Sequence, residues 1–185
     1  QDSLKAQLLT TAIHGHRSLR LGQGEELTHQ QRRQMLAPTG VLEIFRLKTA
    51  PAFEVALKLG AISAGVDEST LQILSDFSQA LGIAYQIRDD IEDVQQDLRD
   101  GAGSGLKPSL ISAMAWEIQI EHEQQSMDSK SADGFVNEIF QATLPELINE
   151  HQLIDQAWSL FDSYHDQALD HLSELKNQNL KRLLF

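Results

Sequence analysis

The chain has 185 residues, a formal net charge of −12 and the apolar content of an ordinary globular protein, enough for one domain with a real core. No apolar run approaches a membrane-spanning length and no signal-peptide pattern opens the sequence, so an integral membrane protein is not expected; the excess of acid likewise disfavours nucleic acid and anionic lipid as partners. Cysteine is absent, which excludes disulfides, thiolate metal sites and cysteine nucleophiles and suits a reducing, cytoplasmic setting.

Helical periodicity governs the whole chain. Leu4, Leu8, Leu9, Ala12 and Ile13 form a first apolar stripe, and "GQGEELTHQQRR" reads as a helix end and loop. Val41, Leu42, Ile44, Phe45 and Leu47 begin a second helix. Proline lacks the N–H that a helix interior needs but suits a first turn, so Pro51 predicts a break near Thr49 and a new helix through "AFEVALKLGAISAG". A further helix is expected from about Ser69 through "LQILSDFSQALGIAYQIRDDIEDVQQ". "DLRDGAGSGLK" reads as a glycine-rich loop, and Pro108 as the opening of a helix to about Gln125. After the loop "SMDSKSADG" come helices from about Gly134, from about Pro145 to His171, and a short last one. Alternating or β-branched strand runs are missing, so the fold class is all-α, antiparallel helices around one core. The abrupt ends, helix already under way at the start and apolar "NLKRLLF" at the finish, suggest a piece of something longer.

The acidic stretch following "ALGIAYQI" is the strongest chemical signal. Asp89, Asp93 and Asp97 stand at i, i+4 and i+8 on one helical face, with Asp90 and Gln86 beside them. Like charges one turn apart destabilise a helix unless cations fill the row. Hard ions such as Mg²⁺ use carboxylate oxygens and often share the site with substrate phosphates. A solvated charged face would explain an arbitrary acidic helix; here the small, apolar residues just before it indicate a buried helix whose acids have a task. Lys48 and Thr49 precede the Pro51 break, where free backbone N–H groups at a helix start would join a cation and a hydroxyl in an anion site. A chance lysine beside an N-cap threonine is the plainer alternative.

Together these segments carry a resemblance. Lys48-Thr49, Leu59-Gly60-Ala61, Tyr85-Gln86 and Asp89-Asp90-Ile91-Glu92-Asp93, with "LGQGEEL" at 21–27 before them and "GLKPSL" at 105–110 after, resemble in order the motifs of the trans-isoprenyl (polyprenyl) diphosphate synthase family. The alignable part runs from about Leu8 to about Leu110. The resemblance implies an isoprenoid-synthase helical bundle, incomplete at its N-terminus, with residues 1–185 forming the C-terminal part of a single domain. It implies a head-to-tail prenyl transferase that joins an allylic diphosphate to isopentenyl diphosphate with Mg²⁺, usually as a homodimer. Carried over residue by residue, it makes Asp89, Asp90 and Asp93 the second metal motif. Lys48, Thr49, Gln86 and Lys107 would hold the allylic diphosphate, with Lys48 and Asp89 central to the chemistry.

The chain departs from the family pattern where a first aspartate-rich motif should lie: no two adjacent aspartates occur upstream of Asp89. The loop after Asp97 is also shorter and poorer than the family segment. Three readings stay open: part of a full synthase, a short subunit whose partner carries the first motif, and a degenerate paralogue that binds without reacting. This chain alone is expected to be inactive.

Other constellations fail on their residues. "GAGSGLKPS" lacks the glycines of both phosphate-loop patterns, having Asp100 and Leu106 where glycine is needed, and it follows a helix instead of a strand. The spacing Asp89-Asp93-Asp97 also suits a terpene cyclase, whose motif prefers a hydroxyl in the middle and a glutamate last. His14 and His16 point to different helix faces without a third ligand. Trp116 and Trp158 read as packing residues.

Overall fold

The computed structural model describes residues 2–32, 35–100, 109–125 and 138–184. Among these there are seven helices and no strand: α1 (Asp2–Arg32), α2 (Pro38–Ser63), α3 (Glu68–Asp100), α4 (Leu110–Gln125), α5 (Glu138–Glu150), α6 (Leu153–Ser173) and α7 (Gln178–Leu184). The expected all-α class is the class found. No helix among the described residues is long and apolar enough to cross a membrane.

Local chemistry sets many of the boundaries. Pro38 opens α2, where its missing N–H has no partner to lose. Gly65 ends the same helix with φ 72°, a left-handed conformation that only glycine adopts freely. The Asp67 carboxylate then accepts the Thr70 N–H at 2.8 Å and the Ser69 hydroxyl at 2.9 Å, capping α3. Asn177 caps α7 by accepting the N–H groups of Asn179 and Leu180.

The long helices pack antiparallel in the order α1, α2, α3, α6. Gly15 and Gly22 of α1 face Val55 and Leu47–Lys48 of α2, and Gly82 of α3 faces Ala50. A Cβ on Gly22 would lie 2.8 Å from the Leu47 carbonyl carbon and the Lys48 nitrogen, and one on Gly82 2.5 Å from the Ala50 Cα. Three glycines thus let two neighbouring helices approach the middle of α2 closely. Phe77 and Ala80 meet Ala168 and Leu172, fixing α3 against the far end of α6. The main core lies nearer the other end. There Val41, Phe45, Ile83, Ile87, Ile91 and Val94 pack with Leu110 and Trp116 of α4, Phe140 and Leu144 of α5, and Leu153 and Ala157 of α6. Trp116 meets Phe140 edge-on at 5.1 Å, and Trp158 packs half-buried on the same cluster. Both tryptophans are packing residues, as expected.

Three boundary expectations need correction. First, α1 does not end at "GQGEELTHQQRR" but runs through it to Arg32. Gly22 serves helix contact there, and the surrounding Glu and Gln residues are good helix formers. Second, α2 does not break at Thr49. Pro51 lies buried inside a continuous helix, in a stretch where α1 and α3 both pack closely on α2 and tertiary packing overrides the local breaking tendency of proline. Third, Pro145 lies within α5. The break falls later, at His151–Gln152, where Gln152 adopts φ 52° and ψ 43°. Residues 97–100, expected as the start of the glycine-rich loop, instead continue α3 to Asp100, while the rest of that loop, "SMDSKSADG", Pro108 and the start near Gly134 lie outside the described residues.

The apolar stripe of α1 is also only partly inward. Leu8 packs on the core, whereas Leu9 and Ile13 are each 63% exposed and Leu21 50%.

Candidate functional site

The described candidate residues extend from the middle of α2 and α3 toward one end of the α1–α2–α3 layer. Since Gly82 sits against Ala50 and the two helices are antiparallel, Lys48 and Thr49 stand at the level of the turn that carries Gln86. Both Lys48 and Thr49 are half-buried, as is Gln86. With α2 unbroken, Lys48 and Thr49 do not precede a free helix N-terminus, and the anion site built on loose N–H groups falls away. The charge remains. The Lys48 ammonium donates to Glu26 Oε1 at 2.8 Å, and Glu26 Oε2 accepts from Gln23 Nε2 at 3.0 Å. The close approach at Gly22, one turn earlier, brings these two helices near enough for that pairing.

Glu26 is a residue that the sequence reasoning left out of the site. Its signal was present: it is the second of the two acids that follow Gly22-Gln23-Gly24 in the segment already quoted. What was missing was the continuation of α1, which turns that acid toward Lys48.

On α3, one helical turn divides the three acids into two environments. Asp89 is half-buried and Asp93 exposed, one turn apart on the same face. Desolvation raises the Asp89 carboxyl above its ordinary range; the Arg88 guanidinium opposes this, and the Glu92 and Asp93 charges add to it. Arg88 stands 3.7 Å from Asp89 and 3.6 Å from Glu92, with its guanidinium 5.0 Å from the Tyr85 ring. Asp90 turns inward. Its Oδ2 accepts the Ser109 hydroxyl at 3.1 Å, the Leu110 N–H at 3.0 Å and the Ile111 N–H at 3.3 Å. Burial pushes this carboxyl up to about 7 against the pull of those three donors, and the Asp93 charge adds to the rise. Ser109 in turn accepts the Ser112 N–H at 3.3 Å, the N-cap bond of α4. Lys107 lies outside the described residues.

The donor set suits a hard cation in part. Asp89 and Asp93 offer carboxylate oxygens at helical spacing, and Mg²⁺ is commonly held by one or two carboxylates together with waters and substrate phosphates. Among the described residues no three histidine, aspartate or glutamate side chains converge on one ion position. A pair of carboxylates completed by a phosphate ligand is therefore the fit these residues offer.

The family model described as polyprenyl synthetase matches residues 3–138. Geranylgeranyl diphosphate synthase of Sulfolobus acidocaldarius is 28% identical over 153 residues, 75% of this chain and 43% of that protein. The crystal structure of a decaprenyl diphosphate synthase from Rhodobacter capsulatus superposes with a TM-score of 0.76 at 22% identity, over 97% of this chain and 57% of the other. A polyprenyl synthase from Caulobacter crescentus, solved in complex with calcium and isoprenyl diphosphate, superposes with a TM-score of 0.67 at 25% identity, over 95% of this chain and 55% of the other. The chain thus spans roughly half the length of these relatives. With most of its length matched by the family model and its helices by solved synthases, the chain belongs to the polyprenyl synthetase family.

Proposed function

We propose that this chain supplies the second acidic motif and the lysine of a prenyl transferase site that joins an allylic diphosphate to isopentenyl diphosphate. What supports the reading is that α2 and α3 run antiparallel with Gly82 against Ala50, so that Lys48 lies level with about Ala84 and the acidic stretch begins about one and a half helical turns further toward the same end, with Asp89 and Asp93 on one face. In the reaction the C1–O bond of the allylic diphosphate breaks heterolytically and the electron pair leaves with the diphosphate. The double bond of isopentenyl diphosphate then attacks C1, and a proton is lost from the adjacent carbon to restore an alkene. Mg²⁺, when bound, would offset the charge gathering on the departing diphosphate.

The chain's own residues have separate parts in this. Asp89 and Asp93 would hold the cation. Lys48 would lie along the diphosphate, where a fixed positive charge favours the more anionic leaving group over the ester. Thr49 and Gln86 would donate hydrogen bonds to its oxygens, with Lys107 as a second cation.

A single acidic motif is half of such a site. The other carboxylates would come from further polypeptide or from a second chain, and pairing with either would cover the exposed Leu9, Ile13 and Leu21 of α1. Purified alone, the 185-residue chain should bind without turning over. A non-hydrolysable allylic diphosphate analogue with Mg²⁺ should raise its melting temperature. No shift at saturating analogue would remove the diphosphate reading, and elongation of geranyl diphosphate by the lone chain would remove the half-site reading.

A further inference from the structure

The three acids of the motif do not share one environment, and the difference points to different tasks. Asp90 is buried, and one of its oxygens already serves three donors on α4. Two of those donors, the N–H groups of Leu110 and Ile111, belong to the first turn of α4 and have no partner within that helix. The third, the Ser109 hydroxyl, passes the contact on to the Ser112 N–H. Leu110 and Ile111 are themselves fully buried beside Ile87 and Ile91, so water cannot take the place of the carboxylate. Removing it would strand two buried N–H groups and a hydroxyl.

We propose that Asp90 is a positioning residue, which fastens the acidic turn of α3 to the N-terminus of α4 and leaves the cation to Asp89 and Asp93. This rests on the prenyl-transferase reading for the cation and on the hydrogen bonds alone for the anchor. Asp89 and Asp93 flank Asp90 on the same turn, so a turn pinned through Asp90 holds both carboxylates at a fixed depth above the core. An asparagine at 90 keeps an acceptor oxygen of the same reach and loses only the charge, whereas an alanine loses the acceptor.

The test uses the purified chain, Mn²⁺ as the probe, titration by electron paramagnetic resonance, and amide hydrogen exchange at Leu110 and Ile111. Asp89→Asn and Asp93→Asn should each weaken Mn²⁺ at least tenfold while leaving the two amides protected. Asp90→Ala should speed exchange at both amides, lower the melting temperature by several degrees and weaken Mn²⁺. Asp90→Asn should restore protection and bring Mn²⁺ affinity to within about threefold of wild type. An Asp90→Asn loss as deep as that of Asp89→Asn would make Asp90 a ligand and overturn the division of tasks. Wild-type exchange at both amides in Asp90→Ala would overturn the anchor. Wild-type protein that binds no Mn²⁺ would overturn the cation reading itself, while the amides still decide the anchor.

Discussion

Lys48 and Glu26, 22 positions apart in the chain, form a half-buried ion pair at 2.8 Å across α1 and α2. Glu26 therefore stands where it both aims the ammonium and competes with any diphosphate for it. For an anionic ligand the competition dominates, because a carboxylate beside the site repels the ligand whether or not it touches it. Glu26→Gln should therefore tighten inorganic pyrophosphate several-fold, and Lys48→Ala should weaken it about tenfold or more, both read by titration calorimetry. The pair is partly exposed, so its loss should change stability by no more than about 1 kcal/mol. Weaker pyrophosphate binding in Glu26→Gln would show that aiming outweighs repulsion.

The glycines divide into those that hold helices together and those that do not. Gly22→Ala and Gly82→Ala each force a methyl into the backbone of α2 and should destabilise the fold by about 1–3 kcal/mol or more in urea unfolding. Gly60 is in the same helix with nothing within 4 Å of a would-be Cβ. Gly60→Ala should stabilise by about 0.5–1 kcal/mol through helix propensity and the unfolded chain. Equal effects at Gly60 and Gly82 would dismiss the close-approach account.

The cap of α3 gives a dependence on pH. Hydrogen bonds from Thr70 and Ser69 lower the Asp67 carboxyl from 3.8 to about 2. A carboxylate held below its unfolded value adds stability that is fully present above about 3.8 and is lost as pH falls through about 2. Asp67→Ala should accordingly lower the melting temperature at pH 6, and the gap to wild type should close between pH 4 and pH 2. A gap that is constant over that range would mean the carboxylate charge has no part in the cap.

In an assembled enzyme that includes a first acidic motif, Asp89→Ala should lower kcat on the order of 10²-fold or more and change KM little. Steady-state kinetics with geranyl and isopentenyl diphosphates decide it. Wild-type turnover would remove Asp89 from the site, and a rise in KM alone would confine it to ground-state binding.

Much of this was legible in the residues. The all-α class followed from periodicity, and Asp89, Asp90 and Asp93 were placed on the long helix that carries them, which runs on past its expected end near Gln96 to Asp100. Pro51 and the Gly22–Gly24 segment misled for a common reason. Proline and glycine punctuate a chain when it is read locally, yet here both lie where helices press together, and packing decides their conformation. Glu26 was hidden by that same error, since an acid in a presumed loop has no direction. The inward turn of Asp90 depends on α4, which returns to α3 from 20 positions away, a contact no local pattern encodes.

The stretch Leu47–Ala50 lies in close contact with Gly22 of one neighbouring helix and Gly82 of another. The Lys48 charge is thus borne by a main chain fixed when the protein folds, with only its own four-carbon arm left to settle. For a reaction whose barrier lies in gathering charge on a leaving group, preorganisation of this kind lowers the reorganisation that must accompany bond breaking. If Lys48 serves the proposed prenyl transfer, two residues without side chains would help set the electrostatic readiness of that site.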